Sequence, residues 1–99
     1  MPSLYVVRSS AGPQRDLSRG AREQAGWDEH AAFIDGLVEE GYIVLGGPFP
    51  DSGGAMLVVS ADNETAVRDR LAADPWYVNG LLTLEDVQRW EIFIDELNS

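Results

Sequence analysis

The apolar pattern of the chain breaks into short runs of two kinds. Residues 4–9 (LYVVRS) are β-branched and aromatic, the signature of a buried strand. From residue 10 to residue 26 the composition shifts to Gly, Pro, Arg and small polar residues, a long connection with a helical turn expected around 17–25. Connections of this length in compact domains are more often functional than accidental. Residues 27–40 repeat apolar side chains at helical spacing. Trp27, Ala31, Ile34 and Val38 form a stripe widened by Phe33 and Leu37, while Asp28, Glu29, Asp35, Glu39 and Glu40 mostly face away. Asp28 and Glu29 suit the first turn, where the helix dipole favours anions, and Gly41 is the expected left-handed stop.

Residues 42–45 predict a second strand, followed by a turn-rich connector over 46–54 (GGPFPDSGG). A third strand is expected over 55–60 (AMLVVS). Ser60 or Asp62 is then positioned to cap a second helix running to about residue 72, with Ala66, Val67, Arg70 and Leu71 at helical spacing. Asp74-Pro75 ends it, because a residue before proline is pushed out of the α region. Over 80–94, Leu82, Leu84, Trp90, Ile92 and Ile94 fall on one face of an extended segment, with a bend or bulge at 86–88. The order is β-α-β-β-α-β. It predicts an α+β, ferredoxin-like βαββαβ domain: an antiparallel four-stranded sheet with two helices on one face. The other sheet face still carries apolar side chains, and pairing of two copies into a homodimer would cover it.

Length and charge narrow the classes. Ninety-nine residues make one domain, 1–99, with an ordinary apolar fraction of 44%. There is no cysteine, so disulfide and thiolate chemistry are out. Seven arginines and no lysine stand against seventeen acidic residues, a formal net charge of -10. Such a surface repels phosphate backbones and lacks a basic footprint, so no nucleic acid partner is expected. The start has no secretory pattern and no apolar run is long enough for a span, which predicts a soluble cytoplasmic protein with no membrane partner.

Candidate chemistry follows from topology. In this fold the start of the first helix, the end of the second, the first loop and the turn after the second strand share one rim. His30, Asp74, Trp76, Tyr77, Arg15, Arg19, Arg22 and the Gly46-Gly47-Pro48-Phe49 turn therefore converge. His30 is the sole histidine, the one side chain whose ordinary pKa lies between pH 5 and 8, and is either an acid/base or a structural ring. Asp74 is either a turn starter before proline or a carboxylate that accepts the imidazole N–H. Arg15, Arg19 and Arg22 are spaced to clamp an anionic substrate, or pair with surface acids. Trp76, Tyr77 and Phe49 line a ring-binding pocket or belong to the core or a subunit interface, and Trp90 reads as interface or core. Gly46-Gly47 opens no helix and so makes no phosphate loop, and no G-x-S-x-G element occurs. One histidine and no cysteine argue against a metal site, with weak carboxylate binding of Mg²⁺ the exception.

The ordered set His30 with Phe33, Gly41, Gly47-Pro48 and Asp74-Pro75-Trp76 resembles the YCII-related (YciI-like) family, over most of the chain. The resemblance implies a dimeric α+β barrel, a homodimer with a pocket in each subunit, and a His-Asp pair at His30 and Asp74. The first loop is longer here, and the last strand is expected to extend past Trp90. On this reading the protein is a small-molecule enzyme of lyase or isomerase type. It needs no cofactor, with His30 as acid/base, Asp74 orienting it, and the loop arginines holding an anionic, aromatic-derived substrate. A non-catalytic small-molecule-binding or accessory module is the contrasting class, and an oxygenase on fold analogy comes third.

Overall fold

The computed structural model describes residues 2–97. Strand β1 (Ser3–Ala11) leads through a long loop with a 3-10 turn at Ala21–Glu23 to helix α1 (Trp27–Glu39). Strands β2 (Ile43–Pro48) and β3 (Ala55–Ala61) form a hairpin, followed by α2 (Glu64–Leu71), the short α3 (Pro75–Val78) and β4 (Leu82–Trp90). The sheet order is β2-β3-β1-β4, and every neighbouring pair is antiparallel. This is an α+β, ferredoxin-like fold.

The register separates the sheet into two faces. Tyr5, Val7 and Ser9 stand beside Val59, Leu57 and Ala55 on one side, and beside Arg89, Val87 and Leu84 on β4. That side meets Leu37 of α1 and Val67 and Leu71 of α2 in one core with Ile43 and Ala61. Leu4, Val6, Leu45, Met56 and Trp90 fall on the opposite parity and point away from the helices.

Several local expectations shift. The apolar stripe of α1 centres on Leu37, 4% exposed, whereas Val38 is 51% exposed. Both fit helical spacing, and packing against the sheet decides between them. The helix ends at Gly41 (φ 78°), where Gly41 N–H bonds Val38 O and Tyr42 N–H bonds Leu37 O. The cap of α2 is Asn63, whose side chain accepts from Ala66 N at 2.8 Å, in place of Ser60 or Asp62, because β3 runs on to Ala61. Gly46, Gly47 and Pro48 belong to β2 and not to a connector. As an edge strand β2 tolerates the missing proline N–H. The register of β1 with β4 slips after Arg8, so Glu85 is an extra residue just before the predicted bend. Beyond Trp90 the strand does not continue, and Ile92, Phe93, Ile94 and Leu97 are exposed.

Candidate active site

Helix α3 is four residues long, and its geometry organises the site. Proline at its first position is pre-set for a helix start and needs no N–H partner. Asp74 caps it: Oδ1 accepts from the backbone N–H of Trp76 at 2.9 Å. Both carboxylate oxygens also lie 2.9 Å from Nδ1 of His30, in the first turn of α1. Asp74 is 1% exposed, and the His30 side chain is 14% exposed. A carboxylate accepts and does not donate, so Nδ1 carries a hydrogen, and in the neutral ring Nε2 is the nitrogen left with the lone pair.

Trp76 fixes the plane of that imidazole. The two rings stack at 3.8 Å between centroids with a 3° interplanar angle. Trp76 is itself pinned by its Nε1–H, which donates to Ala25 O at 3.0 Å, just ahead of α1. Trp27 closes the cluster, 5.9 Å from His30 and 5.8 Å from Trp76. Gly26 turns the chain into α1 with φ 76°, a conformation that a side chain would strain. Held at Nδ1 by a buried carboxylate and on one face by an indole, His30 has one orientation available.

His30, Asp74, Trp76 and Tyr77 line a cavity of about 480 Å³ between α1, α3, the first loop and the β2–β3 hairpin. Its walls are mostly apolar, with Ile34, Ile43, Leu57 and Leu82 among them. Gly47 and Pro48 line it from the edge strand, and Arg15 and Arg22 from the long loop. Arg19 and Phe49 do not reach it. They border a second depression of about 390 Å³ between the loop and the hairpin tip, shared with Arg15. Arg19 pairs with Asp16 at 3.5 Å on the surface. The carboxyl of Asp16 sits below its ordinary range, chiefly through the hydroxyl and backbone N–H of Ser18, with Arg19 and Arg15 adding to it.

The arginines divide by partner. Arg19, Arg68, Arg70 and Arg89 each pair with a carboxylate. Arg8, Arg15 and Arg22 form no salt bridge among the described residues, and of these three Arg15 and Arg22 line the cavity. Arg15 reaches backbone oxygens of Gly53 and Arg19 at long range, and its buried Nε has no acceptor.

Two residues carry weight without having been singled out in the sequence. Gln24 is buried and knots the loop: its amide donates to Asp16 O at 2.7 Å and Arg19 O at 3.1 Å, and accepts from Asp16 N at 2.9 Å. Ser9 is buried on β1 and hydrogen-bonds the hydroxyl of Tyr77. A serine in the row Tyr5, Val7, Ser9 was the available signal for it. Burial, more than the neighbouring charge of Asp74, pushes the Tyr77 phenol above its ordinary pKa, and the Ser9 hydrogen bond opposes this. Among the described residues no group of three or more His, Cys, Asp or Glu could hold a metal ion, and no helix is long and apolar enough to cross a membrane.

The family model of the YCII-related domain matches residues 4–91. The chain belongs to the YCII-related family. This YCII-related protein matches no curated protein sequence. Among solved structures it is similar to 5-chloro-2-hydroxyhydroquinone dehydrochlorinase (TftG) from Burkholderia phenoliruptrix AC1100, in complex with 2,5-dihydroxybenzoquinone. The TM-score is 0.70 at 24% identity, covering 89% of this chain and 93% of that one, a likeness of fold. The uncharacterized protein TM1266 from Thermotoga maritima aligns over 92% of this chain and 100% of its own, with a TM-score of 0.49 and 15% identity.

Proposed function

We propose that the cavity is the active site of a small-molecule enzyme of lyase or isomerase type, in which His30 moves a proton on an anionic, ring-shaped substrate. The observation that carries this reading is the arrangement around one imidazole: Nδ1 on a buried carboxylate at 2.9 Å, the ring face on Trp76 at 3.8 Å, and the residue on the wall of an apolar cavity. A structural histidine does not need to line a cavity.

Nε2 takes a proton from a ring carbon or hydroxyl conjugated to a carbonyl, and the electron pair moves onto the carbonyl oxygen as an enolate. Collapse of the enolate expels a leaving group from the neighbouring carbon, a net loss of HX with the proton left on His30 for solvent. Alternatively the imidazolium returns the proton to another atom, which isomerises the substrate. Asp74 orients the ring and stabilises the imidazolium. Proton transfer of this kind calls for no redox cofactor. Arg15 and Arg22, which line the cavity with no salt bridge among the described residues in a chain of net charge -10, are the cations offered to an anionic group. The indoles of Trp27 and Trp76 suit a planar ring, and TftG, a dehydrochlorinase solved with a dihydroxybenzoquinone, supports ring substrates and the lyase branch.

The outward face of the sheet, with Leu45, Met56 and Trp90 exposed, fits a homodimer in which a second copy covers it. The catalytic reading is tested by chloride release from a chlorinated hydroxyhydroquinone. His30→Gln should lower the rate by about 10²–10⁴-fold with folding retained. Equal rates in wild type and variant, or binding with no turnover, would make the protein a binding module.

A further inference from the structure

Two hydroxyls line the same cavity and have no part in the proton transfer at His30. Ser9 lies on the helix side of β1 and is 6% exposed, the one polar side chain in a row begun by Tyr5 and Val7. Burying a hydroxyl without a partner is costly, and Tyr77 supplies the partner. Tyr77 sits three residues after Asp74, so the turn that holds His30 also sets the position of the phenol. Two hydroxyls carry two protons, and their mutual bond uses one. The other is left to donate, and both residues border the cavity. Tyr77 keeps its proton well into the alkaline range, because burial disfavours the phenolate and the charge of Asp74 adds to that. The pair is therefore a neutral donor and not a base.

We propose that Ser9 and Tyr77 together form the hydrogen-bond donor that holds a ring oxygen of the substrate, the oxygen on which negative charge develops as His30 removes a proton. This rests on the reading of the cavity as an active site and narrows its substrate class. The ring carries a carbonyl or hydroxyl oxygen in addition to the anionic group offered to Arg15 and Arg22. A donor already in place at the developing charge contributes more in the transition state than in the ground state. A site built to bond an oxygen also discriminates against the analogue without it, because a buried hydroxyl is then left unpaired.

The test compares benzoate with ortho-, meta- and para-hydroxybenzoate, titrated against the whole chain by quenching of tryptophan fluorescence, since Trp27 and Trp76 line the cavity. Wild type should bind at least one hydroxybenzoate about ten-fold or more tighter than benzoate. Ser9→Ala and Tyr77→Phe should each lower that ratio, because the remaining hydroxyl loses the partner that aims it. The double variant should bring it close to unity, and His30→Gln should keep it. A purely structural role for the pair would weaken both ligands alike and leave the ratio in place. No preference in wild type, or a preference that survives in both variants, overturns the proposal. Tyr77→Phe keeps the ring and serves if Ser9→Ala does not fold. Chloride release separates this from the catalytic reading. Lost preference in the variants with no release by wild type removes catalysis and leaves the donor pair. Release that Ser9→Ala and Tyr77→Phe do not slow, with the preference intact, removes the pair and leaves catalysis.

Discussion

Asp74 does two jobs with one carboxylate, and two substitutions separate them. Asp74→Ala removes the cap on α3, the bond from Trp76 N at 2.9 Å, which is worth about 1 kcal/mol. It also strips the acceptor from the Nδ1–H of His30, whose side chain is 14% exposed, leaving a largely buried donor at a cost of about 1–3 kcal/mol. The expected loss is about 2–4 kcal/mol. Asparagine caps a helix about as well as aspartate, so in Asp74→Asn its oxygen stays on Trp76 N. That sets its NH₂ where Oδ2 was, 2.9 Å from Nδ1. The imidazole then relaxes by moving its hydrogen to Nε2, and the buried donor is not orphaned. Asp74→Asn should therefore retain about 1 kcal/mol or more of what Asp74→Ala loses. Urea unfolding followed by tryptophan fluorescence measures both differences, and thermal unfolding should separate the two variants by about 4–8 °C. If the asparagine variant is as unstable as the alanine one, or alanine costs less than about 0.5 kcal/mol, Asp74 does not hold α3 and His30 in this way.

Tyr77 gives a signed pH dependence. Its folded-state pKa lies above its ordinary value of 10.0, so its contribution to stability is complete below about pH 10 and is lost as the pH rises through the folded pKa. Between about pH 9 and about pH 11 wild type should lose more urea stability than Tyr77→Phe, and equal losses would contradict the burial argument. The loop arginines should differ too. Arg22→Gln, at the cavity, should weaken benzoate binding several-fold in the fluorescence titration. Arg19→Gln, on the surface beside Asp16, should leave it within error.

Much of this was legible in the residues, for reasons that differ by element. The first three strands and α1 announced themselves because apolar spacing carries the period of the structure that buries it. In β4, by contrast, the extra residue Glu85 puts Trp90 on the face opposite Leu82 and Leu84, which the pattern had placed together. Chain direction, once the element order was read, brought His30 and Asp74 to one rim, and their pairing was what the family resemblance implied. What failed to show depends on contacts that no local pattern encodes. Val38 reads as part of the helical stripe and Leu37 as its margin, but the sheet beneath chose Leu37. Pro75 read as a stop, although proline opens a helix as readily as it ends one, and so α3 went unseen. Arg19 fell away from Arg15 and Arg22 because the loop is tied around the amide of Gln24 and not wound as a regular helix. Phe49, next to Pro48 in sequence, lies past the end of β2 and faces a different depression. The Ser9–Tyr77 bond joins residues 68 apart in sequence, beyond the reach of any motif.

The central claim is that a buried carboxylate holds His30 with its hydrogen on Nδ1 and its lone pair on Nε2. With one histidine in the chain, a long-range ¹H–¹⁵N spectrum of the imidazole in its neutral form reads this without assignment ambiguity. The account predicts a hydrogen-bearing Nδ1 and a lone-pair Nε2 in wild type, with the two exchanged in Asp74→Asn. A wild-type ring carrying its hydrogen on Nε2, or a tautomer indifferent to Asp74, would contradict it.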